Sequence, residues 1–255
     1  MIDRSAEPVS LFADYFDVLV ADTDSLKEQV YGIRYEVYCE EFAYEPKEAF
    51  PDKLERDVFD EYSTHCLIVH RQSGVAAGCV RLVNGSPEHL LPIEAHCAKA
   101  VDSAHLADLQ VHRHESSELS RLAVRKAFRR RHGETKTPLG GRLGSEFARN
   151  ETRVFPLIAV AAYMAACAVG ELTGRKRGYA MMEPFLPRLL RRSGIAFTSI
   201  GEPMDYHGMR APYMTDVARV LDGMTPDLRG LYEQIRTSPQ FRALAQGRFE
   251  GGSGP

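Results

Sequence analysis

Ser117-Glu118-Leu119-Ser120-Arg121-Leu122-Ala123-Val124 is the stretch on which the reading of the chain turns. It alternates well enough for a β-strand, and regular alternation puts Glu118 and Ser120 on one face and Leu119 and Arg121 on the other. A charge carried into a strand needs a partner, because an unpaired buried ion is costly. Upstream, the β-rich runs His65 to Arg71 and Val75 to Val83 are separated by Gln72-Ser73-Gly74 and predict a hairpin. Residues 84–115, rich in Pro, His and Gly, read as an irregular excursion with a short helix. Nearer the start, Asp24 can cap a helix whose apolar stripe is Leu26, Val30, Ile33 and Val37. That stripe leaves Arg34 and Tyr38 together on a neighbouring face, four residues apart.

Downstream of the strand comes a basic loop containing Gly133, Gly140, Gly141 and Gly144, then the uncharged, Ala-rich segment from Val154 to Gly170. Its length is near the ~17 to 25 residues of a membrane span, but its hydrophobicity is modest, Pro156 lies near its start, and Arg153 and Glu171 bracket it. A buried core helix is expected, and no membrane span. Gly178 to Met182 reads as the next strand, Pro184 opens a helix running to about Arg192, and Ile195 to Ile200 and Tyr213 to Val217 close the sheet. The order of helix, hairpin, strand, long helix, strand, helix and strands predicts an α/β plan with a mixed sheet, not a doubly wound parallel one. Residues 1–250 are expected to form one domain, and 251–255, Gly-Gly-Ser-Gly-Pro, a flexible tail.

Over 255 residues the chain is 44% apolar and 26% charged, ordinary globular composition that excludes a disordered or collagenous protein. Net charge is −3, which argues against nucleic acid as a partner. The charge is polarised: residues 1–64 hold 17 acidic and 6 basic side chains, whereas residues 121–192 hold 16 basic and 5 acidic ones. The basic half is suited to an acidic partner or a phosphate, or is simply a solvated face. Cys39, Cys66, Cys79, Cys97 and Cys167 form an odd set without C-x-x-C spacing, and no signal-peptide pattern is visible. A reducing cytoplasm and buried, inert thiols are expected. The nine histidines show no metal-ligand spacing, so no metal is predicted.

The polar residues that stand out are Arg34-x-x-x-Tyr38, Tyr44, Asp57-x-x-Asp60, Arg81 within an apolar strand, and Glu118-Leu119-Ser120-Arg121. On residue chemistry alone Arg81 can pair with Asp57 or Asp60 as architecture, or serve a cleft. In this order the set resembles the acyl-homoserine-lactone synthases and the related N-acyl amino acid synthases, within the GNAT-like acyltransferases. Over roughly residues 10–220, including Tyr206-His207-Gly208-Met209-Arg210-Ala211-Pro212-Tyr213, the chain looks most like acyltransferases associated with the PEP-CTERM/exosortase system.

The resemblance implies a GNAT-like (acyl-CoA N-acyltransferase) fold, with splayed central strands in a mixed sheet flanked by helices. It implies transfer of a fatty acyl group to the amine of an amino acid or related small molecule. Glu118 would be the base, Ser120 would position water or the amine, and Arg121 would act beside them. Arg34, Tyr38, Tyr44, Asp57, Asp60 and Arg81 would bind the acceptor. The homoserine-lactone makers usually carry Phe and Trp where this chain has Tyr38 and Tyr44, which favours a free amino acid over S-adenosylmethionine; a lactone synthase and a catalytically silent ligand-sensing module are the alternatives. No permanent cofactor is expected, the donor being an acyl-phosphopantetheine thioester. The loop Thr137 to Gly144 does not fit the Q/R-x-x-G-x-G/A spacing used for the coenzyme A pyrophosphate. Acyl carrier protein, acidic as a class, is therefore favoured over coenzyme A, with Arg129, Arg130, Arg131, Arg175, Lys176 and Arg177 as its docking surface.

Overall fold

A computed structural model describes residues 8–129, 154–192 and 194–246. The Gly-rich basic loop, Arg130, Arg131 and the expected tail at 251–255 lie outside them.

Apolar alternation builds one twisted sheet in the order β1-β2-β3-β4-β5-β8-β6, with β7 pairing only with β8. The chain begins with α1 (Pro8–Tyr15), β1 (Phe16–Val20) and α2 (Asp24–Arg34), followed by a π-helical turn over Tyr35–Glu41. The hairpin is β2 (Ser63–His70) and β3 (Ala76–Asn84), and Gly74 at φ 68° makes its turn. Next come α3 (Pro92–Cys97), α4 (Ser103–Val111), β4 (Ser116–Val124), α5 (Leu157–Leu172) and β5 (Arg177–Met182). After α6 (Leu186–Arg192) come the two-residue β6 (Thr198–Ser199) and β7 (Met204–Asp205), β8 (Met209–Asp216), α7 (Val217–Gly223), α8 (Pro226–Arg236) and α9 (Pro239–Ala245).

Both faces of the sheet are covered, as period-2 patterning on buried strands requires. In β2, Cys66 and Ile68 join the core formed with α1, α5, α8 and α9, while Leu67 packs under α2. In β5, Ala180 and Met182 face the α5 side, and Tyr179 and Met181 face α3 and α4. The Ala-rich helix is buried on that first face, its small side chains letting it lie close on β3. No helix among the described residues is long and apolar enough to cross a membrane.

Several expectations are corrected. Thr23, not Asp24, caps α2, its Oγ1 accepting from the Leu26 N–H at 3.3 Å; Asp24 instead occupies the first turn, where a negative charge favours the helix dipole. The 84–115 excursion holds two α-helices, and the helix expected from Pro184 starts at Leu186. Of Ile195 to Ile200 only Thr198–Ser199 pairs as a strand, and the last long strand starts at Met209 rather than Tyr213. The N-terminal pair α1 and β1 and the C-terminal helices were not foreseen. β1 is five residues with three half-buried positions, too short for a clear alternation.

The feature that makes a site is the centre of the sheet. The β4 and β5 strands run parallel and pair only through Ser116↔Arg177, Ser117↔Gly178 and Glu118↔Tyr179, and beyond Glu118 they separate. On its other side β4 slips out of register with β3: Arg81 faces Ser120 and Cys79 faces Ala123, so Arg121 and Leu122 together oppose Val80. This is a β-bulge, with Arg121 in the left-handed region at φ 49°. The bulge changes parity. Leu119 and Leu122, three apart, both pack toward α5, and Ala123 packs under α2. The alternation expected for Glu118-Leu119-Ser120-Arg121 therefore fails at its last residue, because Arg121 turns to the face that Glu118 and Ser120 occupy.

Candidate active site

Where β4 and β5 part, a cavity of about 550 Å³ opens, lined by all five residues from Glu118 to Leu122, by Tyr38, Glu45, Asp57, Phe59 and Arg81, and by His96, Tyr163, Tyr206, His207 and Arg210.

Glu118 lies at the last paired position of the split, 3% exposed, and accepts the Ile93 N–H of α3 at 2.6 Å. Burial pushes its carboxyl up to about 8, against smaller opposing effects of that hydrogen bond and of Arg81. A carboxyl so placed is half-ionised only near pH 8, and its ionised fraction is a stronger base than an ordinary carboxylate, able to take a proton from an ammonium group. Ser120 Oγ accepts from Arg81 Nε at 3.0 Å.

Behind the cavity the charges neutralise one another. Arg81, 1% exposed, donates from Nη1 to Asp57 at 2.5 Å and to Asp60 at 2.8 Å. Arg34, with no exposure, donates from Nε to Glu55 and from Nη1 to Asp60 at 2.6 Å. Arg121 reaches Glu45 at 2.8 Å and Glu55 at 3.1 Å, with its guanidinium 5.3 Å over the Tyr38 ring. Tyr38 also ties down the bulge, its hydroxyl donating to the Leu122 carbonyl at 3.0 Å. The π-helical turn accounts for how Arg34 and Tyr38 both point inward: a wider turn changes the angle between positions four apart. Asp57 caps the one-turn helix at Val58–Tyr62, accepting from Phe59 N at 2.9 Å, while Asp60 reaches back to the Asp57 N–H at 2.8 Å.

Burial alone would raise the Asp60 carboxyl, but Arg34, then Arg81 and His65, outweigh it and hold it well below the usual carboxylate range. His65, 3.5 Å from Asp60, is pushed down by burial to about 3 and so is neutral above that pH. A depressed carboxyl stabilises the fold above its unfolded value, about 3.8, and loses that contribution as pH falls below it. Unfolding free energies of the wild type and Asp60→Asn should therefore differ most above pH 5 and converge toward pH 2. A gap that widens on acidification would contradict the pairing.

Of the residues the sequence singled out, Tyr38, Asp57, Arg81, Glu118, Ser120 and Arg121 line the cavity, whereas Arg34, Tyr44 and Asp60 stand behind its wall. Glu45, Glu55, His96, Tyr206, His207 and Arg210 were not foreseen as site residues. The first two lie in an acidic stretch with no spacing to mark them, though the unpaired charges of Arg34 and Arg121 called for them.

The basic residues assigned to docking fare differently. Arg129 is 3% exposed, paired with Glu41 and stacked over Phe42, so its charge is not presented to a partner. Arg175 donates to the carbonyls of Gly85 and His114, Lys176 pairs with Glu115 at 2.6 Å, and Arg177 reaches Asp108 at 3.4 Å. This triplet leads into β5 at its paired end. Met182, at the open end, is five residues on, roughly 17 Å away. Arg130 and Arg131 lie outside the described residues.

Four of the five cysteines are buried, Cys167 partly so, and burial pushes every thiol up, to about 11 for Cys39 and about 12 for the others. Such thiols are poor nucleophiles at neutral pH. Among the described residues no cluster of His, Cys, Asp or Glu is arranged to hold a metal ion. On the α5 side, beyond Leu119 and Tyr163, an apolar void of about 50 Å³ includes Ala166 and Cys167 of the Ala-rich helix in its lining.

Residues 33–137 match the family model described as an acetyltransferase (GNAT) domain. No curated protein matches the chain by sequence. Among solved structures, it resembles BjaI, a CoA-dependent acyl-homoserine lactone synthase with SAM and isopentyl-CoA, at 18% identity and TM-score 0.55, over 92% of this chain and 98% of that one. It resembles TofI in a ternary complex with an inhibitor and MTA at 21% identity and TM-score 0.54, over 84% and 99%. FeeM, an N-acyl amino acid synthase from uncultured soil microbes, is similar at 14% identity and TM-score 0.53, over 82% and 94%. The split sheet, its bulged central strand and these likenesses agree: the fold is that of a GNAT domain, a mixed α/β architecture with an open, mixed sheet flanked by helices.

Proposed function

We propose that the chain is an N-acyltransferase that moves a fatty acyl group from a phosphopantetheine thioester, on acyl carrier protein or coenzyme A, to the amine of an amino acid or related small molecule. The observation that carries this reading is Glu118: a buried carboxyl, raised to about 8, lining the cavity at the point where β4 and β5 separate. The acyl donor lies along the split, and the acceptor lies among Tyr38, Asp57, Arg81, Ser120 and Arg121.

An α-ammonium group is mostly protonated at neutral pH and must lose a proton before it can attack, and a carboxyl raised to about 8 is a far better proton acceptor for it than an ordinary glutamate. Glu118 takes that proton, directly or through a water held by Ser120. The amine nitrogen then forms a bond to the thioester carbonyl carbon, the carbonyl becomes an oxyanion, and its collapse breaks the C–S bond. The thiolate leaves and collects a proton as the free thiol, and the amine nitrogen loses its remaining extra proton to solvent. Backbone N–H groups of β4 past Glu118, released from pairing with β5, are suited to the oxyanion. The salt-bridged arginines fix the shape of the wall, since a guanidinium held by two carboxylates has little freedom to move. The link to the PEP-CTERM/exosortase system that the resemblance implies is part of this proposal.

The experiment is incubation with acyl carrier protein thioesters, acyl-CoA and a mixed pool of amines, with mass spectrometry of products and assay of released thiol. An N-acyl amino acid formed with one thiol per product is expected. Absence of product and thiol release with every donor would overturn the reading in favour of a silent ligand-sensing module, and a lactone product would assign the acceptor to S-adenosylmethionine.

A further inference from the structure

Among the described residues three guanidinium groups line the cavity, those of Arg81, Arg121 and Arg210, and two of them are held by carboxylates of the protein itself. Arg81 is held by Asp57 and Asp60, and Arg121 by Glu45 and Glu55. The third, Arg210 at the start of β8, has no carboxylate partner among the described residues, and its buried Nε has no hydrogen-bond partner there. Its guanidinium lies 5.6 Å over the Tyr44 ring, which positions the charge without neutralising it. The β7–β8 hairpin sets it there: Met204 pairs with Arg210, and the turn carries His207 at φ 54° and Gly208 at φ 90°.

The surrounding charges indicate what Arg210 receives. Arg34, Arg81 and Arg121 face four carboxylates, Glu45, Glu55, Asp57 and Asp60. His207, between the Tyr44 carbonyl at 3.0 Å and Glu45 at 3.5 Å, is lowered by burial and adds no charge at neutral pH. With Arg210 the cluster sums to zero, its positive end at Arg210 and acidic groups at Glu45 and Asp57 on the same cavity wall. A doubly charged phosphate placed there would meet two carboxylates as well as one arginine. A zwitterion meets complementary charge at both ends.

We propose that Arg210 binds the carboxylate of an α-amino acid acceptor and so sets the acceptor class, a role that rests on the N-acyltransferase reading. The planar fork gives the carboxylate two parallel hydrogen bonds, and the ammonium is left on the side of Glu45, Asp57 and Glu118. A free amino acid and S-adenosylmethionine share this group, so Arg210 selects for the α-amino carboxylate and not for the side chain beyond it.

The test compares three acceptor probes, a pool of the common amino acids, the matching pool of amino acid carboxamides, and S-adenosylmethionine, with wild type, Arg210→Gln and Arg210→Lys. The folded state of each variant is checked by its thermal transition. Wild type should prefer carboxylates over carboxamides by about 10²-fold in kcat/KM. R210Q should bring that ratio to about one, chiefly through KM for the carboxylate, and R210K should fall between. A ratio that survives R210Q overturns the proposal, as does a rise in thioester KM alone, which would assign Arg210 to the donor's phosphate. Wild type that acylates carboxamides as well as carboxylates removes the carboxylate anchor but leaves the N-acyltransferase reading standing. Wild type inactive on all three probes removes both.

Discussion

Glu118→Gln should lower kcat by about 10²-fold or more, since the amide keeps the shape and the hydrogen bond from Ile93 while losing the ability to accept a proton. In the wild type, kcat/KM should rise as pH climbs toward about 8, where Glu118 becomes ionised, and in the variant that rise should flatten. Stability gives an independent reading of the same group. A carboxyl whose folded pKa lies above its unfolded value, about 4.5, binds more protons in the folded state across that interval. Wild-type stability therefore falls as pH rises from about 4.5 to 8, by as much as about 1.4 kcal/mol per pH unit. Glutamine does not titrate, so the variant should gain on the wild type over that range in urea unfolding. A variant with normal kcat, or a stability difference flat with pH, would remove Glu118 from its role.

Arg34→Met should be the most destabilising single change, by about 3 to 5 kcal/mol, because it leaves Glu55 and Asp60 buried without their main counter-ion. That is a large share of the ~5 to 15 kcal/mol that holds an ordinary domain together. Adding Glu55→Gln to Arg34→Met should recover part of the loss, because one of the stranded charges is then gone. Denaturant curves for the two single variants and the double variant measure this directly. A loss under about 1 kcal/mol for Arg34→Met would mean that the pair is solvated and the network is surface chemistry.

Much of the fold was legible where the physics is local. The hairpin, the central strand and the buried Ala-rich helix follow from apolar periodicity and from Gly74 at the turn, and the structure agrees to within a few residues. The short edge strand β1 and the π-helical turn were not legible. A five-residue strand carries little pattern, and a π-turn is chosen by what its side chains meet. In the site, Arg81 with Asp57 and Asp60 was readable as a charged group in need of partners. Glu45 and Glu55 were hidden among many acidic residues, and Arg210 acquires meaning only when β8, far along the chain from α2, docks beside β5. The docking arginines show the converse limit. A run of basic residues says nothing of exposure, and Arg129 proves to be buried against Glu41 and Phe42.

The β4 bulge bears on how such a site can change in descent. Which way a strand residue points is fixed by counting, and substitutions do not alter the count. Residues 118–122 can therefore exchange side chains one at a time while Glu118, Ser120 and position 121 go on facing the same wall. Losing one residue, Leu122 for example, would make the strand regular and swing Arg121 to the α5 side, leaving Glu45 and Glu55 without it in a single event. The site is thus tolerant of replacement and intolerant of changes in length, so gaps, more than mismatches, mark where descendants of this strand have left the chemistry behind.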